Sequence, residues 1–135
     1  MSVTLHHPRV LVVDDNRDNA NIICQYLEAV CGYPITVAYD GEEALRAFES
    51  EHPEIVLLDV MMPGRDGWDV CRVLKGDPER ARHVRVIMVT ALDDVANKRQ
   101  ALQTGADDFL EKPFDLAKLA ATVRRNAAAL GLSAA

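Results

Sequence analysis

The sequence predicts an α/β domain built on a parallel sheet, and three observations carry that prediction. Short, nearly continuous apolar runs end in aspartate or threonine: "RVLVVD" (9–14), "EIVLLD" (54–59) and "VRVIMVT" (84–90). Strands that read apolar without alternation are covered on both faces, as parallel sheets are. Segments with apolar residues at helical spacing separate them, so strand and helix alternate along the chain. The length, 135 residues, is enough to bury one core and falls in the usual range for one domain.

Each element follows from local chemistry. After the first run, a helix is expected with Ile22, Ile23, Tyr26, Leu27 and Val30 on its inner stripe and Gly32 as its stop. "ITVAYD" (35–40) reads as a second strand. Asp40 with Glu43 has capping-box spacing and opens a helix carrying Ala44, Leu45, Ala47 and Phe48. The run at 54–59 leads into a loop, then a short helix around Trp68, Val70, Cys71 and Leu74 that ends near Gly76. After the run at 84–90 comes a helix from about Asp94 to Thr104, stopped by Gly105. Its only large apolar residues are Val95 and Leu102, so it is either a weakly anchored segment able to move at low cost or simply a surface helix. "DFLE" (108–111) is a short fifth strand. Asp115 caps a last helix with Leu116, Leu119, Ala120, Val123, Ala127 and Leu130 inward, closed by Gly131. There is no internal repeat and no linker. One domain over 8–130 is expected, with short tails at 1–7 and 131–135.

Composition narrows the function. A net charge of −6 argues against a nucleic-acid surface, which is usually basic. No stretch has the apolar core of a signal peptide or the length of a membrane span, so a cytoplasmic protein is expected. Cys24, Cys31 and Cys71 are an odd number without CxxC spacing and read as buried, reduced thiols. His6 and His7 stand at a frayed end and carry no metal expectation.

The chemistry gathers at one edge. In a parallel α/β sheet the loops at the carboxyl ends of the strands lie together, and ligands bind where strand order reverses. Asp14 and Asp15 end the first strand and Asp59 the third. If those strands are neighbours, three carboxylates share a crevice, and their pKa values rise unless a cation neutralises them. An all-oxygen site of this kind suits a hard ion such as Mg²⁺, with Mn²⁺ as a substitute. Thr90 ends the fourth strand and Lys112 follows the fifth, adding a hydroxyl and an ammonium at the same edge. Attack by an aspartate carboxylate on phosphorus, giving an acyl phosphate, is the chemistry that uses all five residues.

Four motifs in register, "VLVVDDN", "IVLLDVMMPGRDG", "VIMVTAL" and "GADDFLEKPF", closely resemble those of bacterial two-component response-regulator receiver domains, the CheY-like group of the flavodoxin-like fold. The resemblance covers about residues 8 to 130. It implies a single doubly wound (βα)5 domain whose five-stranded parallel sheet has the order 2-1-3-4-5, with helices on both faces. It also implies phosphorylation on aspartate by a partner histidine kinase or phosphotransfer protein. By position, Asp59 matches the phosphoacceptor, Asp15 the direct metal ligand and Asp14 the ligand acting largely through water. Met61 matches the residue whose backbone carbonyl completes the metal shell. Thr90 matches the hydroxyl that swings toward the phosphoryl group, and Lys112 the ammonium that pairs with it. The Lys112-Pro113 bond matches one that is cis in the family. Phe109 matches the aromatic switch, a tyrosine in many members; phenylalanine has no hydroxyl, so burial alone favours its inward state. The signal then leaves through the face formed by the 94–104 helix, the fifth strand and the last helix, read by a protein effector, an attached output domain or a second copy. The stretch 59–75 is somewhat like receivers attached to cyclic-dinucleotide synthases.

Two other readings compete. Phosphatases of the haloacid dehalogenase type also use an aspartate nucleophile and Mg²⁺, but need a second aspartate two residues on, where this chain has Met61. A receiver-like interaction module that is never phosphorylated has no need of the complete motif set. The chain is therefore expected to be a phosphoacceptor with self-phosphorylation and self-dephosphorylation chemistry, not an enzyme turning over a separate substrate.

Overall fold

The computed structural model describes residues 7–60, 62, 66–91, 99 and 103–131. Its strands are β1 (Val10–Val13), β2 (Ile35–Ala38), β3 (Ile55–Asp59), β4 (Arg85–Ala91) and β5 (Asp108–Lys112). The helices are α1 (Arg17–Cys31), α2 (Gly41–Glu51), α3 (Gly67–Lys75), the single turn α4 (Pro78–Ala81) and α5 (Leu116–Ala129). The strands form one parallel sheet in the order β2-β1-β3-β4-β5.

Two apolar clusters cover its faces. α1 and α5 pack Ile23, Leu27, Leu119 and Val123 onto Val10, Val12, Leu57 and Ile87. α2 and α3 pack Phe48, Trp68, Val70 and Leu74 onto Leu11, Leu58, Val86 and Met88 on the opposite face. That is why β1 and β3 read as unbroken apolar runs: every residue of both is buried. β2 lies at the edge, and only its last residue, Ala38, is fully buried.

The caps fall where predicted. Asp40 accepts from the Glu43 N–H at 2.7 Å, and Asp115 from the Lys118 N–H at 2.7 Å. Gly32 ends α1 at φ +71°, a left-handed conformation natural to glycine. The inner stripe of α1 differs from expectation. Ala20, Ile23, Leu27 and Cys31 face the core, while Ile22 and Val30 are 51% and 43% exposed. Ranking by size selects the large residues, but here the stripe closest to the sheet carries small ones.

Asp77 followed by proline at the first helical position begins α4, a turn the apolar pattern does not announce. Of the helix expected over 94–104, Arg99 and Gln103 are helical; Val95, Leu102 and most of the rest lie outside the described residues. Gly105, its expected stop, has φ +90°. The cysteines are free thiols, but Cys24 is half-buried rather than buried. Burial and the Glu28 carboxylate, 3.2 Å from its sulfur, push the Cys24 thiol up to about 11, so it stays protonated and unreactive near neutrality. Among the described residues no helix is long and apolar enough to cross a membrane.

A polar hub ties α3 to the start of β5. Lys75 donates to the Ala81 and Val84 carbonyls at 2.9 Å and pairs with Asp107 at 2.8 Å. The Asp107 carboxylate also accepts from the Val86 N–H at 2.8 Å. The Lys75 side chain is 10% exposed and that of Asp107 17%. Lys75→Met keeps the stem but leaves two carbonyls and a shielded carboxylate short of a donor, and should cost about 3 kcal/mol. Urea unfolding at neutral pH measures it. A loss below about 0.5 kcal/mol would show the hub to behave as an ordinary surface pair.

Candidate functional site

Parallel register builds the site. β1 pairs with β2 and β3 so that Val13 lies beside Ala38 and Leu58. The next residues on the three strands, Tyr39, Asp14 and Asp59, therefore stand side by side at the carboxyl edge. The Asp14 N–H extends the ladder to the Ala38 carbonyl at 3.1 Å. Asp15 follows and Asn16 caps α1, its side chain accepting from the Asn19 N–H at 3.0 Å. Carboxylate oxygens of Asp14, Asp15 and Asp59 all lie within 4.8 Å of one another. Asp14 and Asp59 are buried, while Asp15 opens to solvent.

Lys112, the last residue of β5, reaches across to Asp59, with Nζ 3.1 Å from Oδ2. The peptide bond that follows it, Lys112-Pro113, is cis. Burial is the largest influence on Asp14 and raises its pKa above 3.8. The Asn16 N–H, 2.9 Å from Oδ1, pulls the other way. The charges of Asp59 and Asp15 add to the rise, and that of Lys112 opposes it. Three carboxylates against one ammonium leave two surplus negative charges when all are ionised.

That donor set fits a hard divalent cation. Two ligands on opposite sides of one Mg²⁺ are at most about 4.2 Å apart at the usual Mg–O distance. The three carboxylates occupy a space of that order, with room for one of them to act through water.

Gly67 shapes the turn behind Asp59. Its N–H meets the Val60 carbonyl at 3.3 Å, and a Cβ there would lie 2.3 Å from the Asp59 carbonyl oxygen. The first turn of α3 thus leans on the peptide that carries Asp59, and only glycine permits the approach. A steric demand of this kind leaves no periodic signal in the sequence.

The remaining expected residues take other places. Thr90 is buried, two residues after Met88 on β4, and Met88 pairs with Phe109. Strand alternation puts Thr90 and half-buried Phe109 on the face covered by α2 and α3, whereas Asp59 and Lys112 follow the α1 and α5 face. Thr90 reaches the carboxyl edge beside Asp59 and Lys112, while Phe109 lies near the start of β5, three residues before Lys112. Met61 lies outside the described residues. A cavity of about 490 Å³ opens beside Asp59, between α1 and the turn into α5, with Asn19, Ile22, Lys112 and Phe114 among its walls.

Comparison with known proteins places these features in a family. The family model described as the response regulator receiver domain matches residues 10–124. The response regulator PleD of Caulobacter vibrioides is 47% identical over 116 residues, 86% of this chain and 25% of its own length. The chain spans about a quarter to a half of the curated relatives it matches. Among solved structures, the signal receiver domain of a signal transduction histidine kinase from Syntrophus aciditrophicus has a TM-score of 0.81 at 34% identity, covering 90% of this chain and 91% of that one. The receiver domain of Francisella response regulator 1452 has a TM-score of 0.79 at 35% identity, covering 89% and 96%.

The raised pKa of Asp14 has a definite sign in stability. The folded protein holds that proton more tightly than the unfolded chain, so stability falls as pH climbs from about 3.8 through the raised value, and stays lower at neutral pH. In metal-free buffer, Asp14→Asn should therefore raise the thermal midpoint at pH 7, and the gain should vanish on acidification below about pH 4. Differential scanning across that range decides it. A variant no more stable than wild type at pH 7 would mean that Asp14 is not under strain.

Proposed function

This chain belongs to the response regulator receiver family, and from that premise we propose that it accepts a phosphoryl group on Asp59 from a histidine kinase or phosphotransfer protein. The observation that carries the proposal is the buried Asp59 carboxylate, set between two further carboxylates and the Lys112 ammonium. A structural ion pair does not need the extra acids. A phosphoryl acceptor does, because they hold a cation against which the incoming oxygens are neutralised.

Asp59 Oδ attacks phosphorus; an O–P bond forms, and the P–N bond of phosphohistidine, or the P–O bond of a small acyl phosphate, breaks. The electron pair leaves with imidazole or carboxylate. Lys112, at 3.1 Å from Asp59, is placed to transfer its donors to a phosphoryl oxygen, and the Thr90 hydroxyl at the same edge supplies another. Asp14 and Asp15 would hold Mg²⁺, with Asp59 as the third carboxylate and, as the family resemblance implies, the Met61 carbonyl as a further ligand. When bound, the ion supplies charge neutralisation and polarises the phosphoryl oxygens.

Phosphorylation adds charge and acceptor oxygens, drawing Thr90 and Lys112 onto them. β4 and β5 carry that change to Phe109 and the face around β5 and α5, where a protein partner reads it in the cytoplasm. The chain acts as a phosphoacceptor whose own site forms and hydrolyses the acyl phosphate, with no separate substrate turned over.

Incubation with acetyl phosphate and Mg²⁺, followed by intact mass over time, tests the reading. One phosphoryl group should appear, require Mg²⁺ and decay by hydrolysis, and Asp59→Asn should take none. Lys112→Ala should slow its formation on the order of a hundredfold. An adduct retained by Asp59→Asn would place the acceptor elsewhere.

A further inference from the structure

Arg17 follows the Asp14–Asp15 pair in the chain, two residues after Asp15. It is the first residue of α1, where the helix dipole disfavours a cation. Its guanidinium lies 4.0 Å from the centre of the Tyr39 ring, and it makes no ion pair among the described residues. A guanidinium held over a ring keeps N–H donors with which to meet an acceptor.

Register places the residue on which that cation rests. Tyr39, Asp14 and Asp59 are successive neighbours across β2, β1 and β3, so the Tyr39 and Asp59 backbones are two strand spacings apart, about 10 Å. That is about one Debye length at ordinary ionic strength. The centre it flanks carries surplus negative charge, whereas a phosphodonor is itself an anion. Even with the surplus offset by a divalent ion, nothing in the carboxylate cluster attracts the donor from a distance.

From the Asp59 reading, we infer that Arg17, held on the Tyr39 ring, is the steering residue that draws the anionic phosphoryl group of the donor toward Asp59. The group it recognises is shared by acyl phosphates and phosphorylated imidazole. It acts on approach, through its field and its outward N–H donors, and takes no part in the covalent step.

The test compares wild type, Arg17→Ala and Arg17→Lys in Mg²⁺, following intact mass with acetyl phosphate and, separately, N-phosphoimidazole. At low ionic strength Arg17→Ala should be phosphorylated roughly fourfold more slowly by both donors, as expected for one charge acting on a dianion across about 10 Å of water. Raising salt to about 0.5 M should slow wild type and close the gap. Arg17→Lys keeps the charge and should retain most of the rate. An Arg17→Ala rate equal to wild type at low salt overturns the inference. So does a gap that salt does not close, or that Arg17→Lys fails to restore, since either marks a structural role. A loss with one donor only would place recognition on the leaving group and also overturn it. Absence of any adduct on wild type, folded by its thermal transition, would instead remove the Asp59 reading beneath the inference.

Discussion

Two aspartates brought side by side by strand register are the constraint on which the rest of the structure turns. Val13 pairs with Leu58, so Asp14 and Asp59 leave neighbouring strands at the same height, both almost wholly shielded from water. Like charges in that setting repel, and the structure offsets the repulsion only in part. The Asn16 N–H serves Asp14 and the Lys112 ammonium serves Asp59. Asp15 adds a further negative charge from the solvent side. Every other feature of the edge, from the glycine behind Asp59 to the lysine at the end of β5, serves to hold that arrangement in place.

β5 is secured at both ends, which gives the site a route to the surface. At its carboxyl end Lys112 holds Asp59. At its start Asp108 accepts from Arg125 Nε and Nη2 at 3.1 and 2.7 Å, and from the buried Asn126 at 2.9 Å. Burial alone would raise the Asp108 pKa, but these donors and the Phe109 N–H outweigh it and hold the carboxylate below its usual value. Asn126 in turn accepts from Arg85 at 2.9 Å, joining β4 to the same network. Phe109 lies one residue from that anchor, facing the α2 and α3 side. A displacement of Lys112 therefore acts on a strand whose far end is fixed to α5, and the residues between the two anchors take up the change.

The core strands were legible in the sequence because burial on both faces leaves an unbroken apolar run, as in β1 and β3. The caps were legible because Asp40 and Asp115 carry a local signature. The stripe of α1 was not, since Ala20 and Cys31 bury as completely as leucine while contributing little to an apolar pattern. α4 is too short for periodicity, and Asp77 before Pro78 is its only sign. At the site, Asp14, Asp15 and Asp59 were readable as strand ends, and Lys112 as the residue after one. Their convergence depended on strand order, which came from the resemblance. Gly67 and the Lys75–Asp107 pair arise from contacts between distant segments, for which one sequence carries no local trace.

On the proposed reading, a phosphoryl group on Asp59 would change the electrostatics of this edge in a particular direction. The carboxylate would give up its charge to a mixed-anhydride linkage, and the phosphoryl oxygens would bring roughly two negative charges farther out. The surplus therefore grows, and it moves away from the buried strand ends toward solvent. Groups that served the inner carboxylate, above all Lys112, are then better placed on the outer oxygens. Asp14, by contrast, is tied to its place by the ladder bond to Ala38 and by the Asn16 N–H. On that reading the modification would separate a half of the site held on β1 from a half that rearranges, on β4 and β5. The rearranging half is the one that also carries Phe109 and the network leading to α5. In the proposed mechanism, charge added at one atom would become a change of shape at the surface because the two halves share the carboxylate cluster but not its anchors.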